Sequence, residues 1–127
     1  LNIDSLVEQD YAKVYADLRA VREASPGRVL KVILETGFLS KEQIVRGCLL
    51  VKMAEADFVK TSTGFGPGSA TVEDVALMRE VVGPDFGVKA SGGIRDYETA
   101  AAMLRAGADR IGASAGVAIL EGLEGGN

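Results

Sequence analysis

"VKTSTG" spans Val59–Gly64, "VKASGG" spans Val88–Gly93, and "IGASAG" spans Ile111–Gly116. Each copy opens on a β-branched residue and continues in small residues around a serine, closing on a glycine. That order suits a strand running out into a tight turn. The copies recur at the spacing of a strand–helix unit, too long for a short solenoid repeat. The first two carry a lysine, Lys60 and Lys89, where the third has Gly112.

Outward from these strands, helical and strand-like stretches alternate along the chain. Apolar residues recur at helical spacing from Tyr11 to Ala24, and Ser25, Pro26 and Gly27 stop that helix. "VLKVILE", Val29–Glu35, reads as a strand buried on both faces. Ser40 and Gln43 form a capping box for a helix reaching about Glu55, which feeds the strand "DFVKTS". Thr71 caps the helix "VEDVALMREVV", ended by Gly83 and Pro84. "GVKAS" is the next strand, Asp96 caps "YETAAAMLRAG", and "RIGAS" is the last strand. A short apolar helix, "GVAILEGL", is expected before the final "EGGN", and "LNI" at the start reads as the end of a further strand.

Uninterrupted alternation without hairpin signals implies parallel strands joined by right-handed crossovers. An open doubly wound sheet and a (β/α)8 barrel both satisfy that order. The G-x-G-x-x-G of a dinucleotide fold does not follow the first strand. Lys31 shares strand parity with Glu35, Lys60 with Ser62, and Lys89 with Ser91, which aims several polar groups into one interior. This favours the barrel. A closed barrel takes about 250 residues and eight strands. The 127 residues therefore predict an α/β chain forming the second half of a (β/α)8 TIM barrel, about four βα units with parallel strands. Residues 1–127 are read as one partial domain whose N-terminal strands are absent. Its open sheet edges call for a missing N-terminal half or a second copy in a homo-oligomer.

Composition narrows the chemistry. A net charge of -4 with scattered Lys and Arg gives no footprint for nucleic acid and no membrane-surface patch. Apolar runs are short and broken by charges, which excludes a transmembrane helix. There is no histidine, so His-based triads, His-ligated metals and imidazole shuttles are excluded. No Asp/Glu loop is spaced for a hard cation, and neither metal nor cofactor is expected. The single cysteine, Cys48, reads as a small side chain buried by a helix.

Two lysines projecting from buried strands into one interior lower each other's pKa through repulsion and desolvation. A lysine so perturbed is a nucleophile toward a carbonyl carbon, and its neighbour can move protons. Alternatively, each lysine pairs with a carboxylate such as Glu35 as a structural bridge, and spacing alone leaves both readings open. Gly64, Gly92, Gly93, Gly112 and Gly116 lie at strand ends before helices, where backbone amides form anion sites. The loops "SGGIRD" and "SAGVAIL" follow the last two strands, where barrels often bind phosphate, and Ser114 adds a hydroxyl. Tight βα turns are the other explanation of the same glycines.

In "VLKVILETG", "ADFVKTSTGFG", "TVEDVALMREVVG", "GVKASGGIRDYETAAAMLRAGADRIGAS" and "AGVAIL" the chain closely resembles the deoxyribose-phosphate aldolases, over essentially its whole length. "FVKTSTG" together with "VKASGGIR" is specific to that family. The resemblance implies a class I, metal-free aldolase that interconverts 2-deoxy-D-ribose 5-phosphate with glyceraldehyde 3-phosphate and acetaldehyde. It implies that Lys60 is the Schiff-base lysine and that Lys89 lowers its pKa and assists proton transfer. Gly64, Gly92, Gly93 and Ser114 fall where the family binds the substrate phosphate, with Gly112 and Ala113 beside them. Thr63 lies next to the imine, and Lys31 is an interior polar residue near the site. The implied setting is deoxyribonucleotide breakdown in the cytoplasm, with small phosphorylated sugars and aldehydes as substrates.

Departures from the family pattern set the alternative. The family's catalytic aspartate falls just before the position of Leu1, and Asp4, beyond the strand, does not replace it. Phe65 occupies a position that is lysine in some members, and Glu55 stands where an "AGAD" pattern expects glycine. The chain is then either a piece of a working aldolase or a non-catalytic, self-associating half-barrel that keeps only the phosphate loops.

Overall fold

Side-chain caps place the helices in a computed structural model that describes residues 1–62, 70–94 and 96–112. Asn2 accepts a hydrogen bond from the Ser5 amide at 3.0 Å and opens α1 (Ile3–Val7). This corrects the expectation of a strand end at "LNI": the Asn2 cap draws Ile3 into a helix. Asp10 caps α2 (Tyr11–Ala24). The Ser40–Gln43 capping box opens α3 (Lys41–Met53), with both reciprocal bonds formed at 3.2 and 2.8 Å. Thr71 opens α4 (Val72–Val82) and Asp96 opens α5 (Tyr97–Ala106), each through its side-chain oxygen.

Helices α4 and α5 end at glycines with positive φ, 84° at Gly83 and 124° at Gly107. After α3 the same role falls to Glu55, at φ 66°. This is the position where the "AGAD" pattern expects glycine, and Gly107 occupies it after α5. A left-handed conformation costs a residue with a Cβ roughly 1–2 kcal/mol.

Among the described residues, four parallel strands, β1 (Lys31–Ile33), β2 (Phe58–Lys60), β3 (Gly87–Ser91) and β4 (Arg110–Gly112), pair in the order of the chain. With right-handed crossovers, strictly sequential order keeps all connecting helices on one face of the sheet. The doubly wound alternative would reverse direction partway, and this sheet does not. Val32, Val59, Val88 and Ala90 point to the helices and are buried against a core that includes Ile44, Val51, Val75, Met78 and Met103. Cys48 is fully buried there, and burial pushes its thiol up to about 12. Among the described residues, no helix is long and apolar enough to cross a membrane.

The first strand is shorter than "VLKVILE" suggests. Glu35 adopts φ 59° and turns the chain into a 3-10 turn at Thr36–Phe38. The amides of Leu34 and Thr36 still donate to the carbonyls of Lys60 and Thr61, at 3.0 and 2.9 Å. Glu35 therefore lies past the strand and does not share its alternation with Lys31. The expected "GVAILEGL" helix and "EGGN" tail lie outside the described residues.

One arrangement occurs twice at the N-terminal ends of the strands. The Asp57 carboxylate accepts from the Leu30 amide at 2.8 Å and from Arg22 of α2 at 2.9 Å. The Asp109 carboxylate likewise accepts from the Val88 amide at 2.9 Å and pairs with Arg79 of α4. Each aspartate follows an alanine, in "ADF" and "ADR", and clasps a helix to two neighbouring strands. The Leu30 amide, then Arg22, holds the Asp57 carboxyl below its ordinary range.

Candidate active site

Register, more than sequence spacing, assembles the candidate site. Lys60 pairs with Lys89 across β2 and β3, and Lys89 pairs with Arg110 across β3 and β4. Paired residues in parallel strands point to the same face, so these three side chains leave the sheet on the side away from the helices. Lys31 lies on that face too, but two residues earlier along β1, in the layer of Phe58 and Gly87. Lys60 and Lys89 are half-buried; Lys31 and Arg110 are exposed.

Beneath the lysine pair lies an aromatic floor. The Phe58 ring spreads over Gly87, where an added Cβ would meet ring carbons at 2.4–2.7 Å. Gly87 is therefore required for close approach, not for its backbone angle. The Lys31 ammonium stands 5.7 Å from the ring centroid and the Arg110 guanidinium 4.8 Å, both within cation–π range. Desolvation first, then the charges of Lys31, Lys60 and Arg110, lower the pKa of Lys89 below its ordinary 10.5.

The C-terminal ends of the strands are tied tightly. Thr61 and Ser62, at the end of "VKTS", are buried, and both hydroxyls donate to the Ser91 carbonyl, at 2.9 and 2.7 Å. The Thr61 hydroxyl also accepts from the Ser91 amide at 3.0 Å. After Ser91, Gly92 and Gly93 take φ of 95° and 72°, a pair of left-handed residues that turns the chain off β3. The Gly92 carbonyl is held by the Ala70 amide at 3.0 Å. An added Cβ at Gly112 would meet the Ser91 hydroxyl at 2.5 Å and Lys89 Cε at 3.3 Å. The missing lysine of the third copy is thus explained by space: Gly112 leaves room for Ser91 and Lys89.

Of the residues singled out from sequence, Lys60, Lys89, Gly92, Gly93 and Gly112 gather at one end of one face, with Lys31 a layer below. Thr63, Gly64, Phe65, Ala113, Ser114 and Gly116 lie outside the described residues. Phe58 and Arg110 were not anticipated, although Arg110 shares strand parity with Gly112 in "RIGAS". Among the described residues, no group of three or more His, Cys, Asp or Glu is gathered to hold a metal ion.

No family model matches the chain. Its sequence is 60% identical over 124 residues to a deoxyribose-phosphate aldolase of Streptococcus sanguinis, covering 98% of this chain and 56% of that protein. A crystal structure provisionally named as a deoxyribose-phosphate aldolase, from Coccidioides immitis, superposes with a TM-score of 0.93 at 48% identity. That match covers 98% of this chain and 50% of the other. The deoxyribose phosphate aldolase of Aeropyrum pernix, described as a tetramer, matches with a TM-score of 0.81 at 35% identity, over 90% of this chain and 50% of that one. The chain is homologous to these aldolases along nearly its whole length and spans about half of theirs.

Proposed function

We propose that this chain, a homologue of the deoxyribose-phosphate aldolases, carries the imine-forming half of such an enzyme. The reaction is the reversible cleavage of 2-deoxy-D-ribose 5-phosphate to D-glyceraldehyde 3-phosphate and acetaldehyde. The observation that carries the reading is the direct pairing of Lys60 with Lys89 on one face of adjacent parallel strands.

Lys60, as a neutral amine, attacks the aldehyde carbon of the open-chain sugar, and loss of water leaves an iminium. Removal of the proton from the hydroxyl two carbons along lets the carbon–carbon bond break, and its electrons pass into the iminium. Glyceraldehyde 3-phosphate departs, the resulting enamine is protonated on carbon, and water releases acetaldehyde from Lys60. Lys89, whose pKa is held down, takes up and returns protons beside the imine. By the resemblance to the family, the phosphate site falls to Gly64, Gly92, Gly93, Gly112 and Ser114, and a substrate contact to Thr63. Neither metal nor cofactor takes part in these steps. The setting is cytoplasmic deoxyribonucleotide breakdown, with assembly into a homo-oligomer.

A second reading, a non-catalytic half-barrel, is favoured by one feature. Among the described residues no strand pairs with β1 on its outer side, and a groove of about 200 Å3 lined by Leu1, Leu18, Val21, Leu30 and Ile33 runs there. A complementary half or a second copy would cover it. Incubation with 2-deoxy-D-ribose 5-phosphate, with acetaldehyde read by a coupled reduction, separates the two. Release that disappears in Lys60→Ala supports the aldolase. Release unchanged by Lys60→Ala overturns the lysine assignment, and no release from folded protein favours the half-barrel.

A further inference from the structure

The face turned away from the helices carries a charge, that of Arg110, to which the aldolase reading gives no role. Arg110 is paired in register with Lys89, yet its guanidinium reaches across β3 to the ring of Phe58 on β2. It can do so because Gly87, between them, has no side chain to block the path. We propose that Arg110 is a positioning residue for the lysine pair: anchored on Phe58, its guanidinium keeps a fixed positive charge beside the Lys89 amine. The inference rests on the aldolase reading for its catalytic meaning, but its physical content does not need turnover.

After desolvation, the positive charges that lower the pKa of Lys89 come from three strands: Lys31 on β1, Lys60 on β2 and Arg110 on β4. Two of these are themselves lysines, and Lys60 changes charge along the reaction, neutral as the attacking amine, positive as the iminium and neutral again as the enamine. Arginine does not deprotonate in proteins. Arg110 is therefore the one member of the set whose repulsion persists through every step. A lysine at position 110 would keep the charge but lose the planar contact with the ring. The anchoring matters because a long exposed side chain without a partner samples many positions and its field is diluted by water.

The test is the titration of Lys89 itself, followed on the full chain by NMR of lysine side chains, with assignment from Lys89→Met. Arg110→Met is expected to move the Lys89 midpoint up toward 10.5, and Arg110→Lys to leave it nearer the wild-type position. Phe58→Leu, which frees both the Arg110 guanidinium and the Lys31 ammonium while keeping every charge, is expected to give an upward movement smaller than Arg110→Met. An unchanged midpoint in Arg110→Met overturns the proposal. So does an equal movement in Arg110→Met and Arg110→Lys, since charge would then not be the cause. Should Arg110→Met fail to fold, Phe58→Leu decides: no movement there overturns the anchoring. None of these readings depends on acetaldehyde release, so the inference and the aldolase assignment fail separately.

Discussion

Replacing Arg79 with alanine is expected to lower the unfolding free energy by about 2–4 kcal/mol. The guanidinium donates to the carbonyls of Gly107 at 2.9 Å and Gly83 at 2.7 Å, and to that of Phe86. It also pairs with Asp109, which in turn holds the Val88 amide. One side chain thus joins the ends of α4 and α5 to the starts of β3 and β4. Each bond contributes about 0.5–1.5 kcal/mol net, and the partly exposed ion pair adds little. Arg79→Lys should recover only part of the loss, because an ammonium cannot present the same planar fork. Denaturant melts of the three proteins measure this. A change within about 0.5 kcal/mol for alanine, the scale of ordinary surface substitutions, would contradict the clasp.

Lys89→Met should reduce acetaldehyde formation by about 10²- to 10⁴-fold, the usual contribution of one positioned proton-transfer group. The fold should survive. Because Lys89 is held below 10.5, its charge is less favourable folded than unfolded, so the charged group opposes folding below that range. Methionine keeps the length of the side chain and removes that opposition. Melts at neutral pH should therefore show equal or higher stability alongside the lost rate. Reduced rate with reduced stability would indicate a structural ion bridge, the reading that strand spacing left open.

What the sequence made legible follows from how local the signals are. Caps are local, and Thr71 and Gly83 bound α4 at the residues read from the chain. The repeated strands also came through, because β-branched residues ending in small ones recur at each βα turn. "LNI" failed because an apolar triplet does not reveal that Asn2 bonds to the Ser5 amide. "VLKVILE" ran long because no glycine marks the left-handed turn at Glu35. Site geometry was legible only as parity. That Lys60 faces Lys89, and Lys89 faces Arg110, depends on register, which spacing does not fix. Phe58 was missed for the same reason: its role is visible only once Gly87 is placed beneath it.

The central claim is that Lys60 forms the imine. Borohydride reduction in the presence of 2-deoxy-D-ribose 5-phosphate, followed by intact mass and peptide mapping, tests it most directly. The expected result is a reduced adduct on the peptide containing Lys60, absent in Lys60→Ala. An adduct mapped to Lys89 or Lys31 instead, or one that persists in Lys60→Ala, would contradict it.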